Sequence, residues 1–208
     1  MKPLHLVAVV AGLSQPSSTR LLADRLTTAA KDHLADAGRP VEIEVIELRE
    51  LATAIAQNMV TGFPSPDLRA ALESVTGADG LIAVTPVFTA SYSGLFKSFF
   101  DVLDKDALVD KPVLIAATGG TARHSLVLDH ALRPLFGYLR AIVVPTGVYA
   151  ASADWGAAGD ERTDGLGGRI DRAAGQLARA VGGAPSEPQV EVDEVVPFAQ
   201  QLAAVRAG

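Results

Sequence analysis

The chain has 208 residues, of which 49% are hydrophobic and only 5% aromatic. That length and balance predict one α/β domain with a tail and a sizeable aliphatic core. A formal net charge of −6 leaves no basic footprint for nucleic acid, and the lack of cysteine excludes disulfides, thiolate catalysis and cysteine-ligated clusters.

Leu4 to Ala11 is apolar on both faces and predicts a buried first strand. The turn Gly12 to Thr19 precedes a helix over about Ser18 to Ala37, with Leu22, Leu26, Ala30 and Leu34 every fourth residue. Gly38-Arg39-Pro40 stops it. Val41 to Leu48 alternates apolar and acidic residues, as a half-exposed strand near an edge does. A short helical piece is expected over Arg49 to Ala56, then an irregular loop from Gln57 to Pro66, then a helix capped by Asp67 and running to about Thr76. Leu81 to Val84 predicts a buried parallel strand, ended by Thr85-Pro86 because proline has no N–H for the ladder. A loop carrying Phe88 follows, then a helix to about Leu103. The fourth strand is Val113 to Ala117, and Thr118 to Thr121 is a glycine-rich turn. A helix over Ala122 to Leu139, bent at Pro134, leads to a fifth strand, Ala141 to Val148. Ala150 to Gly168 is expected to be a loop, and Ile170 to Val181 a closing helix. The domain is thus expected to span residues 1–181. A linker from Gly182 to Pro188 and a short apolar helix from Val195 to Val205 would form a tail over residues 182–208.

Strands alternating with helices predict a doubly wound, five-stranded parallel sheet with helices on both faces. The flavodoxin-like order 2-1-3-4-5 is expected, with ligands at the carboxyl ends of the strands. Three loops then meet at one edge. The first carries Ser14, Gln15, Ser17, Ser18, Thr19 and Arg20 at a helix start. It reads either as an anion seat of hydroxyls, free N–H groups and a forked guanidinium, or as a plain N-cap beside a surface arginine. It is neither a Walker loop nor a GxGxxG turn. The third-strand loop offers Pro86, Val87 and Phe88 to a flat ring, or simply turns toward a core helix. The fourth offers Thr118, Gly119 and Gly120, a close backbone approach or a tight turn. A phosphate seat and two ring-contacting loops together describe a flavin mononucleotide site. A response regulator needs an acidic pocket after the first strand, and Ala11-Gly12-Leu13 has no acid.

Thr85-Pro86-Val87-Phe88 with Tyr92-Ser93-Gly94-Leu95-Phe96-Lys97, and Ala117-Thr118-Gly119-Gly120-Thr121, resemble the NAD(P)H-dependent FMN reductases. The likeness is strongest to reductases that feed reduced flavin to two-component monooxygenases of the alkanesulfonate type, and Gly12 to Arg20 fits an actinobacterial variant. It covers about Leu4 to Tyr149. The resemblance implies that Ser14, Ser18, Thr19 and Arg20 hold the phosphate, with Gln15 of the same loop also expected to bind the cofactor. It implies too that Pro86, Val87 and Phe88 flank the isoalloxazine, and that Thr118, Gly119 and Gly120 bond its polar edge. Tyr92 and His124 are further candidates near the ring. His130 stands where some relatives have tyrosine, and reads as a tuner of flavin retention or as an interface residue without a chemical role. The phosphate turn departs from the more usual Gly-Ser-x-Arg opening, its arginine arriving later as Arg20.

FMN and NAD(P)H are the implied cofactors. Hydride transfer between them needs alignment more than acid–base groups, so no catalytic side chain is expected. The four histidines, His5, His33, His124 and His130, show no metal-ligand spacing, so no metal is expected. No run approaches the roughly 18 apolar residues of a membrane span. Leu4 to Gly12 contains His5 and runs into a helix-start signal, so it reads as a strand and not a signal peptide. A cytoplasmic homodimer or homotetramer is expected, with a flavin-dependent monooxygenase as a candidate partner. Two alternatives are an FMN-retaining quinone or azo-compound reductase and a flavodoxin-like electron carrier.

Overall fold

In the computed structural model, residues 2–155 and 165–183 are described. Leu4–Val10 forms β1 and Val41–Glu47 forms β2, in parallel register from Leu4↔Val41 to Val10↔Glu47. Between them lies α1, Ser18–Asp36. Gly80–Phe88 forms β3, parallel to β1 from Leu6↔Gly80 to Val10↔Val84. Further along the chain come β4, Ser91–Tyr92; α4, Gly94–Asp101; and β5, Pro112–Gly119, which pairs with β3 from Leu81↔Val113 to Pro86↔Thr118. Two short pieces, β6 (Ile142–Val143) and β7 (Val148–Ala151), both lie parallel to β5 and act as one interrupted fifth strand. The main path is β2-β1-β3-β5 followed by this split strand, which is the expected order with β4 added as a small antiparallel hairpin arm.

The period of two along each strand divides the core. Leu6, Ala8 and Val10, with Ile82, Val84, Leu114 and Ala116, face α1 and α6 (Leu166–Gly182). Leu22, Leu26, Ala30 and Leu34 of α1 are fully buried on that side, so the four-residue spacing marks the helix's inner face. Val7, Val9, Leu81, Ala83, Val113 and Ile115 face the other helices. These are α2 (Ala52–Thr61), α3 (Pro66–Gly77), α4 and α5 (Arg133–Tyr138). Here the few aromatics are concentrated: the Phe96 and Phe100 rings stand 4.8 Å apart, and Phe136 meets both edge-on, 6.3 Å from Phe96 and 5.0 Å from Phe100.

Several boundaries differ from the expectation. β3 does not stop at Thr85 but runs through Pro86 to Phe88. Its pairing with β1 ends at Val84, so Pro86 sits where only β5 remains beside it, and a missing N–H is tolerated on such an edge. The chain then reverses through Thr89-Ala90, both at positive φ (47° and 64°), closing a two-residue hairpin with Phe88↔Ser91 paired. The segment expected as a loop from Gln57 is helical to Thr61, because no breaker occurs before Gly62, whose left-handed φ of 77° ends α2. Ser65, not Asp67, caps α3, its hydroxyl accepting from the Leu68 N–H, with Pro66 at the first helical position. No continuous helix spans Ala122 to Leu139. A 3₁₀ turn (Ala122–His124) comes first, and a π-helical turn (Leu128–Leu132) then runs directly into α5, so the helix is distorted just ahead of Pro134, which has no N–H to give a regular helix. β7 extends to Ala151 inside the expected loop, and a 3₁₀ turn, Ser152–Trp155, follows. The closing helix starts earlier, at Leu166. The expected linker beyond Gly183 and the Val195–Val205 helix lie outside the described residues. Among the described residues no helix is long and apolar enough to cross a membrane.

Phe96 is fully buried at the centre of the aromatic cluster. Phe96→Ala is expected to lower unfolding free energy by about 3–5 kcal/mol, read from urea denaturation. A loss below about 1 kcal/mol would contradict this packing.

Candidate functional site

Because β1, β3 and β5 are parallel neighbours, the loops that follow them emerge at one edge of the sheet. They enclose a cleft of about 390 Å³. The loop after β1 contributes Leu13 and Ser14, and the first turn of α1 adds Ser18 and Thr19. Pro86, Val87 and Phe88 come from the end of β3, and Thr118, Gly119 and Gly120 from the end of β5. The far side is formed by Ser152 and Trp155.

The floor at the first loop is set by tight backbone approach. A Cβ on Gly12 would lie 2.2 Å from Ser17 Oγ and 3.1 Å from Thr19 Cβ. The Ser17 hydroxyl accepts from the Arg20 N–H and caps α1, whose first turn carries no acidic residue. The positive end of the α1 dipole therefore faces the cleft without a carboxylate of its own. The loops are also tied together. Thr19 Oγ1 and Thr118 Oγ1 share a hydrogen bond of 2.9 Å, and the two residues are 2% and 3% exposed. Thr85 Oγ1 accepts from the Ser93 N–H at 3.0 Å and pins the hairpin to α4, whose cap is the Ser93 hydroxyl.

Nine of the eleven residues expected to hold cofactor are brought together here: Ser14, Ser18, Thr19, Pro86, Val87, Phe88, Thr118, Gly119 and Gly120. Gln15 and Arg20 are not among the lining residues. Arg20 Nε donates to Asp24 at 2.8 Å and Nη1 donates to Glu47 at 2.5 Å. The Asp24 hydrogen bond holds the guanidinium above its ordinary pKa. With its amide oxygen turned toward Arg49, Gln15 accepts from Arg49 Nη1 at 2.7 Å. Tyr92, in the β4 arm of the hairpin, is half-buried, its ring 6.0 Å from Phe96. His124 and His130 are exposed, on the 3₁₀ and π turns, and neither lines the cleft. Among the described residues no three His, Asp or Glu side chains cluster to hold a metal.

Leu13, Ser152 and Trp155 line the cleft without having been singled out in the sequence. Trp155 is oriented by Arg25, whose guanidinium carbon lies 5.2 Å from the ring centroid. The lone tryptophan of the chain was a legible signal, but its distance in sequence from the three loops concealed its place.

The group the fold suggests for this edge is FMN, and the residues fit it. Hydroxyls and a helix N-terminus suit a phosphate, two aromatic side chains and a proline suit a flat ring, and Gly120 opens onto free space where a Cβ would touch nothing within 4 Å. None of the described lining residues is charged.

Thr118→Val is expected to leave the buried Thr19 hydroxyl without its partner and to cost about 1–3 kcal/mol in chemical denaturation. The double replacement Thr19→Val with Thr118→Val should recover much of that loss. Strictly additive losses would show that the two hydroxyls do not share the bond.

Comparison with known proteins agrees with the geometry. A family described as NADPH-dependent FMN reductase matches residues 4–156. The chain is 43% identical over 153 residues to an FMN reductase (NADPH) of Pseudomonas aeruginosa, covering 74% of this chain and 80% of that one. It is 42% identical over 154 residues to the NADH-dependent FMN reductase SfnF of Pseudomonas fluorescens, with the same coverages of 74% and 80%. Among solved structures, an oxidoreductase from Corynebacterium diphtheriae superposes with a TM-score of 0.84 at 45% identity, over 89% of this chain and 100% of that chain. The family match over residues 4–156 takes in all three loops that form the cleft, and the chain belongs to the NADPH-dependent FMN reductase family.

Proposed function

We propose that this chain, an NAD(P)H-dependent FMN reductase, releases its reduced flavin to a separate flavin-dependent monooxygenase. One observation carries the reading: among the described residues, the cleft lining contains no charged side chain. A phosphate dianion would be held there by hydroxyls and N–H groups, with no guanidinium or ammonium among the described lining residues to add an ionic or bidentate contact. A grip of that kind suits a flavin that arrives and leaves as a substrate.

Ser14, Ser18 and the first-turn N–H groups of α1 would bind the phosphate, with Thr19 held in place by Thr118. Gln15 and Arg20 flank this seat and would reach it only by leaving Arg49 and the carboxylates of Asp24 and Glu47. Pro86, Val87 and Phe88 would lie against the ring and exclude water from one side. The N–H groups of Gly119 and Gly120 would meet its polar edge, where Thr118 adds a hydroxyl, and favour negative charge there. When bound, FMN supplies the ring that accepts hydride from the nicotinamide. No side chain of this chain is assigned a proton-transfer role. Tyr92 would anchor the β4 arm of the hairpin against Phe96, and His124 and His130 remain candidates for contact outside the cleft proper. The dependence on NAD(P)H supports a cytoplasmic location.

The test is NADH and NADPH oxidation by flavin-stripped protein at increasing FMN. Activity should rise and saturate with FMN in excess of enzyme. Full activity at catalytic flavin with a quinone acceptor would replace flavin release with flavin retention. Flavin binding with no nicotinamide oxidation would leave an electron carrier.

The same reading includes a homodimer or homotetramer. It is supported by apolar side chains left outside the fold, among them Val60 at 87% and Phe63 at 80% exposure. Light scattering should report a multiple of 21.6 kDa, and a mass of one chain at micromolar concentration would refute it.

A further inference from the structure

We propose that Tyr149 is a positioning residue for the flavin: its hydroxyl fixes the height of the Gly119-Gly120-Thr121 turn, which meets the ring edge. The inference rests on the flavin-binding part of the proposed function. Tyr149 is on β7 and does not line the cleft. It is 7% exposed and packs beneath the turn. Its Oη donates to the Thr121 carbonyl at 2.8 Å. A Cβ on Gly119 would lie 2.1 Å from that Oη and 3.2 Å from Cζ, so the turn rests directly on the phenol. Glycine at 119 is therefore required by the tyrosine below it.

The strut is itself held. The Tyr149 carbonyl accepts from Arg169 Nη2 at 3.2 Å, and Arg169 lies 3.4 Å from an Asp154 oxygen. Asp154 Oδ2 accepts from the Ala151 N–H at 2.7 Å. Burial pushes the phenol above its ordinary pKa, so it stays a donor across the working pH range. A chain of contacts thus runs from α6 through Arg169, the Tyr149 backbone and the phenol to a turn that carries two cleft-lining glycines. Loss of the hydroxyl would free the Thr121 carbonyl and let the turn settle, shifting the N–H donors above it.

The experiment titrates FMN into wild type, Tyr149→Phe, Gly119→Ala and the double variant. Binding is followed by quenching of Trp155, the single tryptophan, and by the visible spectrum of bound flavin. Tyr149→Phe should weaken FMN binding on the order of fivefold, the net worth of one hydrogen bond, and alter the bound-flavin spectrum. Gly119→Ala alone, which drives the turn off the hydroxyl, should weaken binding by more. Its added loss should shrink once the hydroxyl is gone, because only the contact to Cζ remains. Unchanged affinity and spectrum in Tyr149→Phe, with only the unfolding midpoint lowered, would make the tyrosine purely structural and overturn the proposal. Strictly additive losses in the double variant would also overturn it. If Tyr149→Phe does not fold, a folded Gly119→Ala that binds FMN like wild type overturns it equally. Failure of the wild type to bind FMN would overturn this inference together with the reading of the site. A wild type that binds FMN but does not oxidise NAD(P)H would remove only the reductase role.

Discussion

The pairing of β3 between β1 and β5 is the constraint on which the rest of the structure depends. Leu81, Ile82, Ala83 and Val84 are fully buried, so this strand has water on neither face. Their burial on both sides demands helices above and below, and α1 and α6 cover one face while α2, α3, α4 and α5 cover the other. Parallel pairing then sends the chain out of β1, β3 and β5 at the same edge. The cleft is a by-product of that arrangement: three strand ends, each needing a turn into a helix, leave a hollow between them.

The hollow is made specific by a few side-chain bonds and by side chains that are missing. Thr19 and Thr118 join the first and last of the three loops within the cleft lining, and Thr85 with Ser93 joins the middle one to its helix. Gly12 and Gly119 each sit where a Cβ would collide with a hydroxyl, Ser17 Oγ in one case and Tyr149 Oη in the other. The charges near the first loop are satisfied among themselves. Arg20 pairs with Asp24 and Glu47, and Arg49 lies 3.3 Å from Glu47. Among the described residues, those that line the cleft are neutral, and hydroxyls and the positive end of a helix dipole stand where an anion could sit.

Much of this was legible in the residues. The apolar runs at Leu4 to Ala11 and Leu81 to Val84 and the four-residue spacing of Leu22 to Leu34 identify buried strands and a one-sided helix, because burial imposes a period of two or 3.6 on the side chains. Local punctuation was less dependable. Pro86 looks like a stop but lies within β3, since proline is tolerated once β1 has ended beside it. Gln57 to Thr61 looks like a loop but is helix, since Ile55 and Asn58 are drawn into the core and only Gly62 halts the turn. Pro134 looks like a bend in a helix, and the helical backbone there does pass through a π-turn, Leu128–Leu132, just before it, while the stretch from Ala122 is a separate 3₁₀ turn.

The sequence by itself determined the layered α/β architecture and which loops would meet, because hydrophobic period and parallel topology leave few alternatives. It also carried the family, through the residues of the hairpin and the glycine turn. Tertiary structure alone decided which polar groups face the cleft. Arg20 reads from sequence as a phosphate ligand, and only the fold reveals that Glu47, 27 residues away, accepts from it. Trp155 and Tyr149 read as ordinary late-chain aromatics until β7 sets one at the cleft wall and the other beneath the glycine turn. Side-chain partners of that kind depend on which distant strands and helices become neighbours in space, and no local pattern of residue types encodes that distance.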